Sequence, residues 1–119
     1  MKKAVLIAIL AAASAALFAD VSVKLLDNGK AEVTFLYPDT GAKSVLVAGD
    51  FTNWQSGAKT MKKTDAGFVY TRVVAKNTVM EYKFIVDKNW TADKNAPAKK
   101  DDGFGGKNGL VDVASLLDK

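Results

Sequence analysis

A chain of 119 residues, 49% of them hydrophobic and with a formal charge of +4, has room for one core and carries scattered lysines rather than a nucleic-acid-binding cluster. It contains no His and no Cys, which removes the usual general bases, the thiol nucleophile and most zinc sites. With no disulfide available, its stability must come from packing.

Lys2-Lys3 precede the apolar run AVLIAILAAASAALFA, which ends at Asp20. A positive head, an apolar centre and small residues near the end describe a secretory signal peptide. The run also reaches the lower length limit for a membrane span. Its Ala-rich second half and the immediate passage into a polar strand pattern favour cleavage, after Ala19 or after Ala16. The expected division is a signal peptide over 1–19 and a single domain over 20–119, periplasmic or secreted, with no membrane association after cleavage. Loss of Lys2 and Lys3 lowers the formal charge to +2.

From Asp20 the sequence alternates at period two. In DVSVKLL, Val21, Val23 and Leu25 point one way, with Ser22 and Lys24 opposite. Asn28-Gly29 is a hairpin turn signal. KAEVTFLY then puts Ala31, Val33, Phe35 and Tyr37 on one face. Pro38 to Gly41 is turn chemistry, and KSVLVAGD reads as a central strand because it is apolar throughout. A short KTMKKT segment leads to the turn Asp65-Ala66-Gly67. FVYTRVVA and MEYKFIVD read as the next pair, joined across Lys76-Asn77-Thr78. NWTAD is a short strand, LVDV a terminal one, and Lys94 to Asn108 reads as a Gly/Lys/Asp-rich loop. Only ASLLDK suggests a helical turn. Seven or eight short strands with turn signals every 8 to 12 residues predict an all-β antiparallel sandwich or barrel.

Little catalytic chemistry is available. No Gly-rich loop opens a helix, so phosphate cradles are absent and no cofactor is expected. A carboxylate pair could hydrolyse a glycoside, but the one adjacent pair, Asp101-Asp102, reads as a solvated loop. Asp87 and Asp93 flank Trp90 at turn positions, where Asp commonly bonds its own backbone. The aromatics say more. In MEYKFIVD, Met80, Tyr82, Phe84 and Val86 share one face, which places Lys83 on the other. Phe51 reads as a core plug. Trp54 and Trp90 lie in polar settings. Two indoles beside an outward Lys suit a saccharide platform, the sugar's apolar face on the rings and its hydroxyls on polar partners. They could equally cap the ends of the core.

The strings VLVAGDFTNW, GFVYTRVV, EYKFIVDKNWTAD and NGLVDV, from about Lys43 to Val113, resemble the family 48 carbohydrate-binding module. That family includes the glycogen-binding domain of the AMP-activated protein kinase β subunit and the N-terminal modules of isoamylase and branching enzymes. The resemblance implies an immunoglobulin-like (early-set) antiparallel β-sandwich that binds α-glucans such as glycogen, starch or maltooligosaccharides without cleaving them. It carries the sugar contacts onto Trp54, Lys83, Trp90 and Asn108. Two further loop contacts of the kinase-type module, a Leu and a Thr, fall on Phe104, an apolar substitute, and Gly106, which offers no side chain. Where the family usually has Gly after Val-Asp, this chain has Lys88, so a positive φ is expected to shift to Asn89 or be strained. The resemblance also implies a partner, because the module usually accompanies a glucan-active enzyme or kinase. A separate such chain is therefore an expected partner beside the glucan. The competing expectation is an exported protein–protein interaction module that kept the sandwich and lost the sugar.

Overall fold

The computed structural model describes residues 20–117, so the signal peptide expected over 1–19 lies outside the described residues. Among the described residues ten strands follow one another: β1 (Asp20–Leu25), β2 (Lys30–Tyr37), β3 (Val45–Gly49), β4 (Lys59–Thr60), β5 (Lys62–Thr64), β6 (Gly67–Ala75), β7 (Val79–Val86), β8 (Asn89–Thr91), β9 (Ala98–Asp101) and β10 (Lys107–Asp112). A 3₁₀ turn, Trp54–Gly57, sits between β3 and β4, and a short helix α1, Val113–Leu117, ends the described chain. Among the described residues no helix is long and apolar enough to cross a membrane.

The strands form two antiparallel sheets packed as a sandwich. One runs β1-β2-β6-β5; the other runs β9-β10-β7-β3-β4, with β8 also on β7. Period-two alternation sets the core. From one sheet come Ala31, Val33 and Phe35, and from the other Val45, Val47, Met80, Tyr82, Phe84 and Val111, all with 1% or less of their surface exposed. Phe35 meets Tyr82 edge-on at 5.0 Å and stacks on Phe51 at 5.7 Å. Phe51 therefore plugs the core end. Gly49 makes room for it, since a Cβ there would stand 2.1 Å from the Glu81 carbonyl and 2.5 Å from the Phe51 ring. The buried Tyr82 hydroxyl donates to Asp93 Oδ2 at 2.5 Å, which satisfies both groups and ties the chain leaving β8 to the core.

Several sequence expectations need correction. β6 and β7 do not pair: β6 lies beside β2 and β5, whereas β7 joins β3, β8 and β10. The Lys76–Thr78 turn crosses between the sheets, because β6 pairs along its whole inner length with β2, Lys30↔Ala75 through Tyr37↔Phe68. The central strand is β7, and β3 has only the two-residue β4 outside it. KTMKKT also changes sheets, with buried Met61 at the corner between β4 and β5. Leu25, expected on the same face as Val21 and Val23, is 55% exposed at the end of edge strand β1. The Lys94–Asn108 stretch contains β9, whose four residues are all exposed and which pairs β10 through its backbone. The positive φ does not move to Asn89. Asp87 and Lys88 adopt φ 48° and 73° as the two central residues of the β7–β8 hairpin, where a two-residue primed turn needs both in that region.

One topological detail positions the site. On one edge of β7, β3 pairs Val86 through Tyr82 without a break. On the other edge, β10 pairs Val79 to Tyr82 and β8 pairs Phe84 to Val86. Lys83 stands at the fork where those two strands part.

Candidate functional site

The outer face of β7 carries Glu81, Lys83 and Ile85, because Met80, Tyr82 and Phe84 take the inner phase. Ile85 is the direct cross-strand partner of Trp90, which puts that indole on the same outer face, 47% exposed. Asn108 enters from β10 and Trp54 from the turn after β3. The five residues singled out in the sequence, Trp54, Lys83, Trp90, Phe104 and Asn108, line a single groove of about 660 Å³ together with Asp50, Glu81, Lys100, Asp101, Asp102 and Gly103.

Trp54 is held there by an unusual backbone. Asn53 and Trp54 both have positive φ, 61° and 56°, a conformation that is an outlier for a bulky residue and costs on the order of 1–3 kcal/mol. The buried Thr52 hydroxyl fastens it. That oxygen accepts from the Gly49 amide at 3.0 Å, and its hydrogen faces the carbonyls of Gly49 at 3.0 Å and Trp54 at 2.9 Å. Asn53 and Ser56 close the turn, with Nδ2 donating to Oγ and Oγ donating to the Asn53 carbonyl, each at 3.0 Å.

The polar side of the groove is a chain of charged pairs. Lys83 Nζ donates to Asp102 Oδ2 at 2.6 Å, with 19% and 9% of the two side chains exposed. Asp102 Oδ1 also accepts from the amides of Phe104 and Gly106, at 2.7 and 3.0 Å, and so folds the glycine-rich loop around itself. Lys83 first, then those two amides, hold its carboxyl at about 2. Glu81 accepts from Asn108 Nδ2 at 3.1 Å and from Lys100 Nζ at 3.2 Å. The hydrogen bond from Asn108 is the main reason its carboxyl lies below the ordinary range. Since Glu81 is acceptor-only, the amide nitrogen of buried Asn108 faces it and Oδ1 is left for other partners. Asp101 pairs with Lys107, and both are largely exposed.

Phe104 is 93% exposed at the loop tip, flanked by Gly103 and Gly105 at positive φ. It rims the groove rather than packing into it. The solvated-loop reading holds for Asp101, whose side chain is 80% exposed, and fails for Asp102. The Asp87 carboxylate does not bond its own turn. Its Oδ1 accepts from the Lys43 and Ser44 amides at 2.8 and 2.9 Å, so it is a structural brace. Asp93 bonds its own turn at Asn95 as well as Tyr82. Glu81 and Asp102 were missed as groove residues. For Glu81 the available signal was its two-residue spacing from Lys83 on one strand face.

A smaller concavity of about 440 Å³ lies around Tyr37, Pro38 and the Thr91–Asn95 segment. Its one aromatic ring packs on Phe84 at 5.1 Å, which leaves no comparable free flat face. Among the described residues no group of three or more His, Cys, Asp or Glu side chains converges to hold a metal ion.

Residues 31–118 match the family described as the glycogen recognition site of AMP-activated protein kinase. The chain belongs to this family. It is a family of non-catalytic carbohydrate-binding modules, and its match takes in both sheets of the sandwich. The chain is also similar to the chloroplastic phosphoglucan phosphatase LSF1 of Arabidopsis thaliana, at 30% identity over 103 positions. That match covers 79% of this chain and 17% of the relative. Among solved structures, the ferric enterobactin esterase of Salmonella typhimurium aligns with a TM-score of 0.66 at 15% identity, covering 78% of this chain and 34% of the esterase. The enterobactin esterase of Shigella flexneri aligns at 0.64 and 18%, covering 79% and 33%. At those identities the likeness is one of fold. The chain thus spans about a sixth of the phosphatase and a third of the esterases.

Proposed function

We propose that this protein is an exported, non-catalytic α-glucan-binding module. Trp54 and Trp90 stack on glucose rings, Lys83 donates to hydroxyls with the N–H groups that Asp102 leaves free, and Asn108 accepts through Oδ1. Phe104 covers the apolar side of the chain of rings. One observation carries the reading: three solvent-reaching aromatics and two polar contacts, separated by up to 54 positions in sequence, line a single open groove. An open groove with apolar walls and a few fixed polar groups suits a neutral polysaccharide. Membership of a glycogen-recognition family supports the same ligand, and the phosphatase relative's name places that protein on a phosphoglucan, a ligand with the same sugar backbone. Export is proposed from Lys2-Lys3 and the apolar run before Asp20, and a separate glucan-active enzyme chain is the proposed partner.

An open stacking site of this size gives an affinity of about 10 μM to 1 mM, or about 4–7 kcal/mol. Affinity electrophoresis in glycogen or amylose, with calorimetry against maltoheptaose, tests the reading. Wild type should be retarded, and the Trp54→Ala/Trp90→Ala double variant should lose at least about tenfold in affinity, roughly 1.4 kcal/mol. Equal migration of the two with and without polysaccharide sinks it.

A further inference from the structure

Gly106 does not leave a gap in the groove. A Cβ built there would lie 2.8 Å from Asp102 Oδ2 and 3.7 Å from Lys83 Nζ. The Asp102 carboxylate thus occupies the space of a side chain at position 106 and sits directly on the ammonium of Lys83. It is anchored there by two backbone amides and has 9% of its side chain exposed. It is therefore too enclosed to reach far toward a ligand itself, and its effect is exerted through Lys83.

The charges of the groove follow the same arrangement. Its lining holds four carboxylates, Asp50, Glu81, Asp101 and Asp102, against two cations, Lys83 and Lys100. Both cations are paired with a carboxylate of the groove, Lys83 with Asp102 and Lys100 with Glu81. An uncharged glucan loses nothing by this, because a paired ammonium still carries N–H groups to donate. A phosphate ester finds no free cation in the lining and, with Asp101 balanced by Lys107 just outside it, one unpaired carboxylate, Asp50.

We propose that Asp102 is a positioning and specificity-determining residue that neutralises Lys83 and restricts the groove to unphosphorylated α-glucan. This rests on the glucan-binding reading above and narrows its substrate class.

The test compares maltoheptaose with a maltooligosaccharide of the same length bearing phosphate monoesters, by calorimetry on the purified protein at low and high salt. A unit charge about 4 Å away in water-like surroundings changes affinity about fivefold. Wild type should bind the phosphorylated chain at least about fivefold more weakly at low salt, and screening should shrink that gap at high salt. Asp102→Asn keeps an oxygen for the Phe104 and Gly106 amides, and it removes both the charge and the acceptor that Lys83 Nζ uses. The ratio of the two affinities should move toward the phosphorylated ligand by about fivefold. A loop disturbed only structurally would weaken both ligands together and leave the ratio fixed. Equal wild-type affinities for the two ligands, or an unchanged ratio in the variant, overturns the proposal and leaves the glucan reading standing. Binding of neither ligand overturns both. If the variant does not fold, the wild-type comparison and its salt dependence still decide.

Discussion

At the scale of single residues, the groove is held by side chains that do not themselves face it. Thr52 is the clearest case. Its buried hydroxyl is the fastening for a left-handed Trp54, so Thr52→Val removes a satisfied donor and acceptor while keeping the shape. The expected cost is about 1–3 kcal/mol of stability, a drop of about 4–8 °C in melting temperature per kcal/mol for a domain this small. Glucan affinity should fall as well, since Trp54 loses its pre-set direction; an unchanged affinity would show that the indole needs no such support. Asp102, Glu81 and Asp87 define the acid response. All three carboxyls lie below their ordinary values, held there chiefly by Lys83, Asn108 and the Ser44 amide respectively. A carboxyl depressed in the fold stabilises above its unfolded value, near about 4, and loses that contribution as pH falls toward the folded value. Burial raises Asp20 and gives it the opposite sign. Melting temperature should accordingly fall from about pH 4 to pH 2, and Asp102→Asn should flatten that slope when melts are followed by circular dichroism.

At the scale of elements, the β7–β8 hairpin shows a local conflict between sequence and geometry. Its register requires Asp87 and Lys88 at positive φ, and Lys88 gains no side-chain hydrogen bond in return among those formed by described residues. Lys88→Gly removes a left-handed cost of about 1–2 kcal/mol and returns about 0.4–1 kcal/mol of unfolded-state entropy. Thermal melts should rise by a few degrees, with maltoheptaose affinity unchanged because Lys88 does not line the groove. A fall in melting temperature would refute this account of the turn. The strands most legible in the sequence were those with a buried face, β2 and β7, whose alternation is fixed by Ala31, Val33, Phe35 and by Met80, Tyr82, Phe84. β9 was illegible for a physical reason: Ala98 to Asp101 bury no side chain, so backbone pairing with β10 leaves no trace in residue type. Its lysines instead suit an edge that must not recruit another strand.

At the scale of the whole molecule, the sandwich was readable and the crossing between its sheets was not. The turn at Lys76–Thr78 looks like hairpin chemistry, and only the non-local pairing of β6 with β2 sends β7 to the other layer. The candidate groove divides along the same line. Trp54, Lys83, Trp90, Phe104 and Asn108 could be picked out from motif and phase, whereas Asp102 could not, because its contact with Lys83 spans 19 positions and depends on how the loop folds back. With no Cys in the chain, the layers are held by side-chain packing, and Tyr82, which meets Phe35 of the other sheet, is in turn fixed by its hydrogen bond to Asp93. Tyr82 and Asp93 are the test. Tyr82→Phe leaves a carboxylate that is 4% exposed without its hydroxyl donor, at an expected cost of about 1–3 kcal/mol. Chemical denaturation should show a lower midpoint, and an unchanged one would mean that Asp93 finds another donor.

The placement of the two indoles also has an optical consequence. Trp54 and Trp90 are the two tryptophans of the whole sequence, and both line the groove, half-buried and 47% exposed. Neither sits in the core, so indole emission reports on the groove with no interior background. Unfolding uncovers the partly buried Trp54 and should move the emission to the red. A glucan laid over the two rings removes water from them and should shift the emission to the blue. The protein thus gives two events opposite signs in one probe: occupancy moves tryptophan light to the blue, and unfolding moves it to the red.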